Sequence, residues 1–324
     1  MAGLGAVHYF AGHAAELYSD VGDGSWSAVV ASTHDGETIT ESELVLPGQT
    51  PRVTIQTATR QGDGRTNQDT VIVSSRAAAV LDGATTWYPQ DPSRDGGWYS
   101  RTLAAQVLPT LDGGDSLQDL LAAAIKDVAE TYGLRRGSSS PESTVSIARW
   151  DQDSLELLVL GDSPVVVFGP EPDPIVGLDD RLEAPGAAAR AVYHAHLRSG
   201  GGYGQKLTKL LKQLQHDEIQ VRNREGGYWT AETDPAAAHR ALHRSWPIED
   251  VSALLLLTDG ASAGVLDYGR PGTWAEALSA VIARGPGSFI DGVYAAEDSD
   301  PDGWHWPRSK CHDDKADVLV NFHR

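Results

Sequence analysis

The stretch SALLLLTDGAS, residues 252–262, decides how this chain is read. Leu254 to Leu257 is an apolar run, too short to span a membrane and of the right length for a buried strand. It runs to Asp259, which puts a carboxylate where the strand leaves its sheet. Gly260 follows, a residue that lets backbone approach a ligand closely. Asp-Gly is also a common turn pair, and taken alone the stretch reads as a strand followed by a turn. The pattern recurs, however. Ala78-Ala79-Val80-Leu81 leads into Asp82-Gly83, Leu155 to Leu160 leads into Gly161-Asp162, and Asp313-Asp314 stand just before Val318-Leu319-Val320. Several acidic groups at strand ends are what a hard divalent cation requires.

The chain has 324 residues, of which 40% are apolar, enough for a sizeable core in one large domain or two small ones. Its formal net charge of −19 argues against general affinity for nucleic acid or for an anionic membrane. Cys311 is the single cysteine, so there is no intrachain disulfide framework, and a cytoplasmic location is expected. The first residues, MAGLGAVHYFAGHAAELYSD, lack a basic region and a sustained apolar stretch, and read as no signal peptide.

Residues 1–51 read as N-terminal strands or an extension, with Trp26 to Ala31 a strand and Gly22 and Gly24 a turn before it. Arg52 to Thr59 alternates with period two and predicts a half-buried strand. Thr70 to Val73 and Ala77 to Leu81, joined by Ser74-Ser75-Arg76, predict a hairpin. Helices are expected over Trp98 to Leu108 and Ser116 to Leu134, the second with Leu117, Leu120, Leu121, Ala124, Val128 and Tyr132 on one face. Strands follow at Ser143 to Trp150, Leu155 to Leu160 and Val165 to Phe168.

Residues 177–250 differ in character, being rich in Ala, Gly, His and charge, and read as a helical or irregular insertion in a domain over 52–324. Leu207, Leu210, Leu211 and Leu214 keep helical spacing there, and Asp234-Pro235 reads as a helix start. Thr273 and Glu276 predict a capping box for a helix through Ala283, residues 285–311 read as loop, and Asp317 to Phe322 is the last strand. His239 and His243, four apart on an expected helix, lack the glutamate of a metalloprotease pair and read as surface, as do His194 and His196. Strands clustered with short turns and helices grouped between them predict antiparallel sheets flanked by helices.

Taken in order, NQD at 67–69, VLDG at 80–83, LGDS at 160–163, LLTDG at 256–260 and HDDKADVLV at 312–320 resemble the motifs of the metal-dependent serine/threonine protein phosphatases of type 2C, over residues 52–322. The resemblance implies an α+β fold, a four-layer α-β-β-α sandwich with two central antiparallel sheets flanked by helices. It implies a centre of two Mn²⁺ or Mg²⁺ ions that hydrolyses phosphoserine and phosphothreonine in a phosphoprotein, with neither nucleic acid nor membrane as partner. By position, Asp82 bridges both ions, the Gly83 carbonyl binds one, Asp259 and Asp313 hold the other, and Asp69 acts through a metal-bound water.

The chain also departs from that pattern. Where relatives have a phosphate-holding arginine, Gly64 stands, with Arg65 one place later and Arg60 nearby as the alternative. Ala84 replaces a histidine that some relatives have, and Glu142 replaces a glycine. Asp162 is either a third-metal ligand or a turn residue, since its expected partner beyond Asp259 is Ala263. The Gly96-Gly97 pair is delayed by a loop carrying Trp87 and Tyr88, with Pro89 and Pro92 limiting its flexibility, expected to wall the cleft. These departures leave two alternatives: a catalytically weak module that binds phosphoproteins, and a phosphatase of small metabolites.

Overall fold

The computed structural model describes residues 15–19, 26–31, 40–46, 52–63, 66–85, 91, 93–137 and 140–323, the first three stretches as backbone only. The turn at Gly22 and Gly24, Gly64 with Arg65, and the loop residues Trp87, Tyr88, Pro89 and Pro92 lie outside the described residues.

In chain order the first half holds β1 (Ala15–Ser19), β2 (Trp26–Ala31), β3 (Thr40–Leu46), β4 (Arg52–Arg60), β5 (Asp69–Ser74), β6 (Ala77–Gly83), α1 (Gly96–Val107), α2 (Leu117–Tyr132), β7 (Ser143–Trp150), β8 (Ser154–Leu160), β9 (Val165–Phe168) and β10 (Ile175–Gly177). Then follow α3 (Ala187–Arg198), α4 (Gln205–Ile219), β11 (Leu242–Pro247), β12 (Ala253–Leu257), α5 (Asp259–Leu266), α6 (Trp274–Arg284), α7 (Pro286–Asp298) and β13 (Lys315–His323). The strands form two antiparallel sheets, ordered β1-β2-β5-β6-β7-β8-β11 and β10-β9-β12-β13-β4-β3.

Side-chain alternation sorts the strand residues into three interfaces. On β6, Ala77, Ala79 and Leu81 face α1 and α2, while Ala78 and Val80 face the other sheet. On β13, Ala316, Val318 and Val320 fill the space between the sheets, and Leu319 packs outward against α5, α6 and α7. The result is the expected four-layer α+β sandwich, helices outside and two sheets within. The helix pair α3–α4 stands apart, with its own small core of Tyr193, Leu197, Leu207, Leu211 and Leu214.

Several local expectations need correction. Residues 285–311 are not all loop, because α7 runs through Pro286–Asp298. Pro286 and Gly287 at its start obscure the pattern, yet proline suits a first helical position, where no N–H bond is needed. Phe289, Ile290, Val293 and Ala296 keep the spacing of one buried face. His239 lies in a 3-10 turn and His243 on β11, so they share no helix. His196 is buried, not on the surface. The capping box at α6 is half formed: Thr273 accepts from the Glu276 N–H at 3.2 Å, but the Glu276 carboxylate accepts from Gly272 N.

Asp317, on the outward face of β13, breaks the apolar rule and has no pairing partner. Asp317 is fully buried beside its cross-strand neighbours Ala58 and Leu257, and neither of its carboxylate oxygens has a partner. Burial alone pushes its proton affinity well above the carboxylate range. A group whose pKa is raised on folding costs nothing below its unfolded value, and its cost grows as pH rises from there to the folded value. Asp317→Leu should therefore stabilise the protein, by about 1–3 kcal/mol from the unpaired polar group alone, and by more at pH 8 than at pH 5. Melting temperatures at both pH values check this, and an Asp317→Leu protein that melts below wild type at pH 8 refutes it.

Candidate metal centre

The same alternation carries the core-facing parity past the ends of the strands. Beyond Val71 on β5 stands Asp69, and beyond Ala78 and Val80 on β6 stands Asp82. Past Leu254 and Leu256 on β12 comes Thr258, and before Ala316 on β13 comes Asp314. Asp69 and Asp82 are directly paired across the hairpin, and Thr258 N bonds Ala316 O where β12 meets β13. These ends open on one side of the sandwich, so carboxylates from both sheets meet there.

Asp82, Gly83, Asp162, Asp259 and Asp313 line one cavity of about 310 Å³. Burial first, and the Asp259, Asp69 and Asp313 charges next, push the Asp82 carboxyl well above its ordinary range; it donates a hydrogen bond to Asp259. Asp69 is 2% exposed and pairs across the hairpin with Asp82, which lines the cavity. Its Oδ2 accepts from the Thr258 hydroxyl at 2.7 Å, and its Oδ1 is buried without a partner. Burial, then the charge of Asp314, raises its proton affinity as well. Asp162 is pushed up to about 7 by burial and then by the Asp259 charge.

Asp313 is the exception. Burial works against its charge, but the Lys310 ammonium, 2.5 Å from Oδ1, together with Lys315 and the Asp314 N–H, lowers its proton affinity below the usual range. Lys310 carries no pattern visible from the sequence except its place three residues before the acidic pair.

Backbone crossings fix these groups. A Cβ on Gly83 would meet the Gly96 carbonyl at 2.2 Å, so the delayed glycine pair returns to pack directly on the motif. A Cβ on Gly260 would meet Asp314 O at 2.1 Å. Asp314 turns from the cavity and accepts from Gly62 N (2.8 Å) and Gln68 N (3.1 Å), pinning the turn that leads to Asp69. Lys315, fully buried, donates to Glu297 and to the Asp313 carbonyl, each at 2.8 Å. Neither role is signalled in the sequence.

The far wall of the cavity comes from the 177–250 segment. Leu182, Tyr193, Leu211, Leu214 and Tyr228 supply apolar surface, and Gln215 donates to the Thr85 carbonyl at 2.7 Å. Glu142 lines the cavity and is held by Arg222 at 2.5 Å and by the Thr230 hydroxyl at 2.9 Å. Arg60 does not reach the carboxylates. Its guanidinium bonds Asp291 at 2.5 Å and lies 3.5 Å over the Tyr294 ring.

By sequence, no family model and no curated protein matches this chain. By structure it is similar to the Mycobacterium tuberculosis serine/threonine phosphatase PstP/Ppp, with TM-score 0.49 and 17% identity over 87% of this chain and 100% of that one. It is similar to serine-threonine phosphatase 2C from Toxoplasma gondii, with TM-score 0.49 and 13% identity over 88% of this chain and 99% of that one. A further likeness is to a Staphylococcus aureus serine/threonine phosphatase, with TM-score 0.48 and 12% identity over 91% of this chain and 99% of that one.

An all-oxygen donor set of aspartates suits Mg²⁺ or Mn²⁺ rather than a soft metal. The unpartnered Asp69 Oδ1 and the side-chain-free backbone at Gly83 fit that chemistry. Among the described residues no three His, Cys, Asp or Glu side chains stand in ligating geometry around one point. Asp82 instead stands beside Asp259, whose charge raises its proton affinity, and Asp313 accepts from Lys310 at 2.5 Å. Like-charged carboxylates at close range relieve repulsion in those two ways.

Proposed function

We propose that this chain is a phosphatase dependent on Mn²⁺ or Mg²⁺ that hydrolyses phosphoserine and phosphothreonine monoesters in proteins. The observation that supports the reading is the convergence of Asp82, Asp259 and Asp313 on one cavity, with Asp69 paired to Asp82 across the hairpin. Asp82, the Gly83 carbonyl, Asp259 and Asp313 would hold two ions. Such a pair, when bound, lowers the pKa of a water and stabilises charge on phosphorus during in-line attack.

The remaining steps fall to the chain itself. Thr258 orients the Asp69 carboxylate, which would hold a water beside Asp82. Asp314, with Lys315 and Glu297, keeps Asp313 at the cavity edge. Leu211 and Leu214 exclude solvent from one side, which strengthens every charge interaction inside. No activated cysteine or serine is required.

The test is hydrolysis of a small aryl phosphate by purified protein with Mn²⁺ or Mg²⁺, then with EDTA. Turnover that appears with metal and vanishes on chelation is expected, and equal turnover in EDTA refutes the reading. A second reading, a phosphatase of small phosphorylated metabolites, is favoured by the wall that α3 and α4 build around a cavity of about 310 Å³. Comparing kcat/KM for a phosphopeptide and for small phosphomonoesters separates the two. Metal-dependent phosphopeptide binding without turnover would instead mark a catalytically weak module.

A further inference from the structure

We propose that Lys310 binds the phosphate group of the substrate. The assignment rests on the metal-dependent phosphatase reading above and adds to it the residue that captures the anion.

Among the described residues, two cations line the cavity, Arg190 and Lys310. Arg190 is committed elsewhere. It donates to the carbonyls of Glu183 (2.7 Å) and Leu182 (3.2 Å) and to the Glu218 carboxylate (2.7 Å). Arg60 is held by Asp291 and Tyr294 away from the cavity. Lys310 differs from both, since its ammonium has three protons to give and Asp313 Oδ1 is its hydrogen-bond acceptor in the structure.

The backbone that presents Lys310 is rigid. Arg308 donates to the carbonyls of Glu297, Asp300, Trp306 and Cys311 and to the Asp300 carboxylate. Asp300 in turn accepts from the N–H groups of Trp304, His305 and Trp306. The loop is therefore fixed at residues 308 and 311, while the lysine's four-carbon stem leaves its head free to swing. Lys310 lines the same cavity as Asp82, Asp259 and Asp313.

Asp313 cannot give the same lone pairs to a divalent cation and to the ammonium. Once a cation takes them, the Lys310 ammonium, half-buried at the cavity, loses the acceptor it has in the structure. A phosphate oxygen entering beside Asp82 and Asp259 is the acceptor the substrate itself brings. In this way the lysine guards the carboxylates before loading and grips the phosphate after it.

The test compares wild type with Lys310→Met and Lys310→Arg. Mn²⁺ binding, measured by calorimetry without phosphate, should be unchanged or tighter in Lys310→Met, because a competing cation is gone. Inorganic phosphate should become a competitive inhibitor weaker by about tenfold or more, the loss expected for a hydrogen bond to a charged group. KM for an aryl phosphate should rise by a similar factor with a smaller change in kcat. Lys310→Arg should recover most of the phosphate affinity. Unchanged phosphate inhibition and KM in Lys310→Met overturn the assignment. So does loss of Mn²⁺ binding there, since the lysine would then be a structural part of the cluster. Wild-type protein without metal-dependent turnover overturns the underlying phosphatase reading too, and that failure is visible before any variant is made.

Discussion

Asp82→Ala and Asp259→Ala are each expected to lower metal-dependent turnover by about a thousandfold or more, equivalent to about 4 kcal/mol of barrier, while leaving the fold intact. Both carboxylates stand at the cavity rather than inside an apolar cluster, so their removal opens no hole in the core. The metal-free protein should even gain stability. Burial and neighbouring charge raise the proton affinity of both groups, so each costs folding energy as pH rises from the unfolded carboxylate value to the folded one. Truncation removes that cost, and the metal-free variants should melt at or above wild type, more clearly at pH 8 than at pH 5. Metal behaves oppositely. Saturating Mn²⁺ should raise the wild-type melting temperature, by about 2.7 kcal/mol of stability at a hundredfold excess over Kd, and should barely move either variant. Turnover and melting curves with and without Mn²⁺ measure all of this. A variant that keeps the Mn²⁺-induced rise and the turnover sinks the assignment of its carboxylate.

Arg222→Met is expected to be the most damaging single change to stability, costing about 3–5 kcal/mol. Arg222 lies between two buried carboxylates, bonding Glu142 at 2.5 Å and Glu232 at 2.9 Å, and it also donates to the Gly137 carbonyl. Asn223 reaches Glu232 from a second side, and Tyr99 donates its hydroxyl to the Glu232 carbonyl. Met fills the space without the charge, leaving two glutamates buried together. Burial already raises Glu232, with Arg222 opposing it, so losing the arginine pushes its proton affinity higher. The sign follows for Glu232: the penalty is full at pH 8 and shrinks toward pH 5, where its raised proton affinity lets it take up a proton. Denaturant midpoints at the two pH values check it. Adding Glu142→Gln and Glu232→Gln should recover much of the loss, because neutral amides tolerate burial better than unpaired carboxylates. A loss below about 1 kcal/mol at pH 8, the range of an exposed pair, would mean that the triad is solvated. Because Glu142 lines the cavity, the single variant should also lose kcat/KM toward phosphopeptides.

Local periodicity carried the layered part of this protein. The run at Leu254 to Leu257, the hairpin around Ser74-Ser75-Arg76 and the Leu117–Val128 face of α2 are each written in a short window. A strand repeats every two residues and a helix every 3.6, so one window is enough to read either. The acidic positions were legible for the same reason: Asp82 and Asp259 follow apolar runs that must end at a sheet edge. Where glycine and proline interrupt a window, as at Pro286-Gly287 in α7, the pattern was still present in Phe289, Ile290 and Val293 but was outweighed.

The remaining features depend on residues far apart in the chain meeting in space, and no local period encodes that. Arg222 meets Glu142 across 80 positions, Asp314 meets Gly62 across 252, and Gln215 meets Thr85 across 130. Asp317 alternates correctly as a β residue, and only burial on its outward face, under the helices, turns it into a cost. Glu142 in sequence is a glycine replaced, and only the tertiary structure supplies the arginine that makes a buried glutamate tolerable. Lys310 reads as an ordinary loop lysine until packing places it against Asp313. Alternation along a strand set which carboxylates face the gap between the sheets, and long-range packing set which cations come to meet them, because charge pairing depends on distance in space rather than on spacing along the chain.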